Sequence, residues 1–151
     1  MLHIINGPNL NLLGKRESSI YGNKTLDGII TECQALCEKY GIEFSSFQSN
    51  HEGEIVDYIH KNIEKKSLCI ANLGAYTHTS IAIRDAFLAS KSVKDFTLIE
   101  VHISNVYKRE EFRHKSMIGD ISTAIMTGLG PEIYRIATIY GIELTLGKQI
   151  I

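Results

Sequence analysis

Two pairs of side chains in this sequence have the types and spacing to move protons. Glu100 and His102 stand two apart in "LIEVHIS" (98–104). On a strand, residues two apart share a face, and a carboxylate beside an imidazole fixes its tautomer, raises its pKa and holds it as a proton donor near neutral pH. A purely structural Glu–His pair is the plainer alternative. Arg16 and Tyr21 stand five apart in "NGPNLNLLGKRESSIYG" (6–22). That connection is long for a compact domain, yet Leu10, Leu12, Leu13 and Ile20 make it too apolar for a disordered linker. A tyrosine with its usual pKa near 10 is a poor base, but a guanidinium held close in a partly desolvated site favours the phenolate. Lowering that pKa by two or three takes about 3–4 kcal/mol, within reach of a close cation under a closing loop. A tyrosine that merely packs its loop is the competing reading.

The elements that must position these groups alternate along the chain. "LHIIN" (2–6) reads as a strand, and "TLDGIITECQALCEKYG" (25–41) as a helix with Thr25 as N-cap and Gly41 as terminator. Leu26, Ile29, Ile30, Cys33, Leu36 and Cys37 recur at intervals of three and four, which makes one buried stripe. The spacing then predicts a strand over 42–50, a helix over 52–66, a strand over 67–72 and a helix over 79–91. A strand over 96–104 follows, then a short fifth strand within 120–128. A closing helix spans 130–147, with Pro131 in its first turn and Gly141 weakening its middle. Strict alternation implies a parallel sheet with helices on both faces. Right-handed crossovers narrow this to a five-stranded, flavodoxin-like three-layer sandwich, read as a single catalytic domain over 1–151.

Ligands of such sheets bind outside the carboxyl ends of the strands. Here those ends are polar: Asn6, then Gln48-Ser49-Asn50, then Asn72, then His102-Ile103-Ser104-Asn105. Each alone reads as a turn or cap residue; together they suggest a pocket that reads hydroxyl or carboxylate oxygens. "NLGAYTHTS" (72–80) is a small-residue turn around Gly74 and Ala75 running into a helix, a place that favours an anion. His78 there is either a further donor or a turn residue. The charged loop "NVYKREEFRHKS" (105–116) offers Arg109 and Arg113, either to solvent or to a substrate carboxylate.

Composition limits the rest. The 151 residues are 44% hydrophobic and 22% charged, with a formal net charge of −1. That composition is typical of a soluble globular chain and gives no electrostatic footprint for nucleic acid or an anionic membrane. No apolar run approaches the ~20 residues of a membrane span, and Leu2 enters a strand with no basic leader before it, so a cytoplasmic location is expected. Cys33, Cys37 and Cys69 sit in apolar runs and read as reduced buried thiols, without the paired spacing of a zinc site.

Three stretches, "NGPNLNLLGKRE…IYG", "NLGAYTHTSIAIRDA" and "IEVHISNVYKREEFRHKS", resemble the type II 3-dehydroquinate dehydratases, and the resemblance continues through "GLGPEIYRIA" (128–137). It implies a flavodoxin-like fold, trimers built into a homododecamer, no metal or organic cofactor, and loss of water from 3-dehydroquinate to give 3-dehydroshikimate. It also implies roles. Tyr21 is the base, Arg16 favours its phenolate, and Asn9 holds the water that stabilises an enolate. His102, oriented by Glu100, is the proton donor. Asn72, Gly74, Ala75, His78, Ile103, Ser104, Arg109 and Arg113 bind substrate, while Asp85 reaches a neighbouring subunit's site. The chain departs from the family's usual pattern at Leu73, at Ser18 and across "SMIGDIS" (116–122). An inactive relative kept as a structural or interaction protein is therefore the alternative. A cofactor-binding module is disfavoured because Asn6-Gly7-Pro8-Asn9 supplies no phosphate loop and no acidic cluster. A lysine Schiff base is disfavoured because Lys15, Lys24 and Lys108 lie in charged or polar loops.

Overall fold

A computed structural model describes residues 1–14 and 24–150. The first strand, β1 (Leu2–Asn6), is buried along its whole length. Helix α1 (Leu26–Lys39) follows, its N-cap Thr25 accepting from the Gly28 N–H. The chain then runs through β2 (Phe44–Gln48), α2 (Glu52–Asn62) and β3 (Leu68–Asn72). A single turn, α3 (Tyr76–Thr79), leads into α4 (Ile81–Val93), which Ser80 caps by accepting from the Ile83 N–H. β4 (Thr97–His102), β5 (Ala124–Thr127) and α5 (Glu132–Leu146) complete the order. All pairings are parallel, in the order β2-β1-β3-β4-β5, which is the flavodoxin-like α/β arrangement the alternation implied.

Several boundaries moved. The helix expected over 52–66 stops at Asn62, because Ile63 turns extended and goes fully into the core. The helix expected from Thr79 begins at Ile81, since Ser80 breaks the backbone and caps it anew. Gly141 does not interrupt α5. A Cβ there would stand 2.7 Å from the Leu68 side chain, so the glycine lets α5 lie close against β3.

Side chains alternate across the sheet and feed two cores. Leu2, Ile4, Ile70 and Val101 join α1 and α5 on one face; Ile5, Cys69, Ala71 and Leu98 join α2 and α4 on the other. All three cysteines are free and buried. Among the described residues no helix is long and apolar enough to cross a membrane.

Gly7 follows β1, and its N–H donates to Asn72 O at 2.8 Å. A Cβ built there falls 2.1 Å from the carbonyl oxygen of Leu73, a backbone atom that cannot turn aside. Gly53, in the first turn of α2, has open space instead. Gly7→Ala is therefore expected to lower the urea-unfolding free energy by about 3 kcal/mol, whereas Gly53→Ala raises it by up to about 1 kcal/mol. Equal effects at the two positions would contradict this packing.

His3 escaped notice in the sequence. It is 1% exposed on β1, with Nδ1 3.1 Å from Tyr58 OH and Nε2 unpartnered. Burial, helped by the N-terminal ammonium, lowers its pKa from 6.5 to about 4. Between those values the unfolded chain binds a proton that the folded chain refuses, so stability falls as pH falls through this window, by at most about 3 kcal/mol. Urea unfolding at about pH 7 and about pH 4.5 checks this: His3→Asn should lose most of the acid-dependent drop.

Candidate active site

The crossover leaving β1 runs toward β2 at one edge, whereas the one leaving β3 runs the other way toward β4, so the two part between β1 and β3. At that switch a crevice opens above the carboxyl ends of the strands. The cleft has a volume of about 390 Å³ and is lined by the loop after β1, the turn after β3 and the segment after β4. Asn9, Asn72, Gly74, Ala75, His78, His102, Ile103, Ser104, Arg109 and Arg113 all line it, so residues scattered through the sequence meet as expected.

Not every polar strand end arrives. Gln48, Ser49 and Asn50 do not line the cleft, because β2 is the edge strand and β1 stands between it and β3. They brace it instead. Asn50 Oδ1 accepts the Asn9 N–H at 2.9 Å, and Gln48 Nε2 donates to Gly7 O at 3.2 Å. The brace holds Asn9 left-handed, at φ 69°. Asn6 also lies behind the cleft wall rather than in it. Asp85 is exposed on α4 and does not line its own chain's cleft. Arg16 and Tyr21, with Ser18, lie outside the described residues. The flanks of that segment are placed: Leu13 lines the cleft, and a Cβ on Gly14 would stand 3.0 Å from Lys24 O. Lys24 Nζ is paired with Glu132 at 2.7 Å and Glu32 at 2.9 Å. Bonds to Glu132 first and Glu32 next raise its pKa.

The Glu–His pair formed as its spacing predicted. His102 Nε2 lies 2.6 Å from Glu100 Oε1, both groups being nearly sealed from solvent. The second carboxylate oxygen accepts from Ser116 Oγ at 2.7 Å. Ser116 was missed as a site residue, although it ends the charged loop over 105–116 and opens the stretch that departs from the family's pattern. Its hydroxyl also accepts the Ile118 N–H, so the loop itself fixes it. Beside His102, the His78 ring stacks with centroids 5.9 Å apart and planes at 17°. His78 Nδ1 donates to Lys115 O at 2.8 Å. Burial lowers the His78 pKa despite that bond, with His102 and Arg113 adding to the effect. A neutral His78 with Nδ1–H committed to Lys115 offers the cleft an acceptor at Nε2, which revises the expectation of a further donor.

The far wall offers donors. Ile103 O and Ser104 O are already taken by Gly130 N–H and Thr127 Oγ1, which leaves the Ser104 hydroxyl facing Arg109 Nη1 at 3.4 Å. Arg113 Nε donates to Glu110 at 2.8 Å. The Glu110 carboxyl is held below its usual range, first by a backbone hydrogen bond and then by Arg113. Two guanidiniums over two histidines make a rim suited to an oxyanion or carboxylate. Leu73, the departure beside Asn72, is fully buried and packs into the α2/α4 core, while the turn itself is made by Gly74 at φ +56°. Asn72 still reaches the cleft. Among the described residues no cluster of His, Cys, Asp or Glu could hold a metal ion.

The family pattern described as Dehydroquinase class II matches residues 1–142. The chain is 53% identical over 140 residues to a 3-dehydroquinate dehydratase of Francisella philomiragia, covering 93% of this chain and 92% of that one. Its fold superposes on a type II dehydroquinase from Propionibacterium acnes with a TM-score of 0.84 at 34% identity, over 93% of this chain and 94% of that one. A type II dehydroquinase from Butyrivibrio crossotus gives 0.81 at 42% identity, over 96% of each chain.

The hydrogen bonds require opposite tautomers in the stacked pair. Long-range ¹H–¹⁵N spectra at about pH 8, well above the ordinary histidine range, should show a proton on Nε2 of His102 and on Nδ1 of His78. The reverse pattern at either ring would contradict the site geometry.

Proposed function

Because the chain belongs to the class II dehydroquinases, we infer that its cleft takes 3-dehydroquinate, removes water from it and releases 3-dehydroshikimate. The chain is a hydro-lyase of that family. The observation that carries the reading is His102, held by Glu100, which Ser116 in turn anchors, at the lip of a cleft ringed by Arg109, Arg113, His78 and Asn72.

The reaction is an anti elimination through an enolate. Tyr21, as phenolate beside Arg16, takes the proton from C2, alpha to the ketone. The electron pair flows onto the ketone oxygen, where a water on Asn9 stabilises the enolate. Collapse of the enolate forms the C1–C2 double bond and breaks the C1–O bond. His102 supplies the proton that lets the hydroxyl leave as water. With Nε2–H on Glu100, the proton for the substrate comes from Nδ1 of the imidazolium. Arg113, with Arg109 nearby, takes the carboxylate, while Asn72, His78 and Ser104 take the hydroxyls and the backbone at Gly74, Ala75 and Ile103 shapes the wall. That Asp85 is exposed on α4 and does not line its own chain's cleft supports a role in a neighbouring site. The protein would then work as trimers assembled into a homododecamer, in the cytoplasm, with residues 1–151 as one catalytic domain.

Absorbance of the conjugated enone product tests the assignment. The parent chain should turn over 3-dehydroquinate, unaffected by borohydride added with substrate. Tyr21→Phe should lose at least about 10²-fold in kcat, the usual contribution of a general base. Light scattering on the same sample should give the mass of a dodecamer. Inactivation by borohydride would mean a Schiff base and a different set of catalytic residues. No turnover by the folded parent would leave an inactive relative.

A further inference from the structure

Asn72 brings an amide to the cleft, and the groups that decide its orientation lie behind the wall. Its Oδ1 accepts the Gly74 N–H at 3.3 Å, which turns Nδ2 inward to find an acceptor. That acceptor is the phenol oxygen of Tyr134, 2.8 Å away. The phenol passes its own proton on, donating to Asn6 Oδ1 at 2.6 Å. One backbone N–H thus sets the direction of the whole relay. Asn6 and Asn72 are register partners on β1 and β3, and Tyr134 enters from the first turn of α5. Tyr134 is fully buried, Asn6 is 1% exposed and Asn72 3%. Of the three, only Asn72 lines the cleft.

The ring of Tyr134 packs in the α1/α5 core, a task phenylalanine does equally well. The hydroxyl is what packing does not need. Burial pushes the phenol pKa well above its ordinary range, with the bond from Asn72 opposing. The group therefore stays neutral and keeps both a donor and an acceptor.

We propose that Tyr134 is a positioning residue for the dehydration: its hydroxyl, backed by Asn6, locks the Asn72 amide so that the remaining Nδ2 hydrogen meets a substrate oxygen. Without it Nδ2 loses its acceptor, and the amide is left held only by the longer bond from the Gly74 N–H at 3.3 Å. The inference rests on Asn72 being a substrate-binding residue.

Steady-state kinetics on Tyr134→Phe, Asn72→Ala and the double variant test it, each as the assembled enzyme and each confirmed folded. Tyr134→Phe should lower kcat/KM about tenfold, equivalent to about 1.4 kcal/mol. The loss should divide between kcat and KM as it does in Asn72→Ala. The double variant should be no worse than Asn72→Ala alone, because the phenol acts only through that amide. Should Tyr134→Phe fail to fold, Asn6→Ala removes the end of the relay and should show the same non-additivity. Full activity in Tyr134→Phe, or losses that multiply in the double variant, would overturn the proposal while leaving Asn72 as a ligand. Full activity in Asn72→Ala would overturn the binding assignment and this proposal together.

Discussion

The cleft depends on the parallel pairing of β1 with β3. It joins the two halves of the sheet, sets Asn6 beside Asn72, and continues one residue past the strand as the bond from Gly7 N–H to Asn72 O. That last contact leaves no volume at position 7 for a side chain. Because the crossovers leaving β1 and β3 run in opposite directions, toward β2 and β4, no helix covers the ends of the strands at this point. The loop carrying Asn9 and the turn carrying Gly74 then face one another across the opening.

The functional lip draws on both faces of the sheet. Glu100 is the register partner of Ala71 and lies on the α2/α4 side, where Ser116 holds it from the loop above. Asn72 faces the α1/α5 side, where Tyr134 holds it from the helix. Glu100 thus accepts from its anchor, whereas Asn72 donates to its own. Buried polar groups are costly when partly satisfied and rigid when fully so.

The rim follows a different rule. Arg109 and Arg113 share Glu110 at the surface, where ion pairs are weak and easily exchanged. A floor of imidazole and amide thus lies beneath a cationic rim whose own ion pairs are at the surface.

Much of this was legible in the residues themselves. Alternating periodicities specify strands and helices locally, so the layered parallel sheet, the Thr25 cap and the shared face of Glu100 and His102 followed from period and spacing alone. The family followed from three long motifs. What required the folded chain was every contact between residues far apart in sequence. That Gln48 and Asn50 brace the cleft rather than line it depends on β2 being the edge strand, which no local pattern encodes. That Ser116 serves Glu100, that His78 spends Nδ1 on Lys115, and that Tyr134 reaches Asn72 across 62 positions depend on which backbone groups the tertiary structure leaves unpaired. A sequence states which groups can donate or accept. Only packing, by burying some and occupying others, decides which of them remain for the substrate.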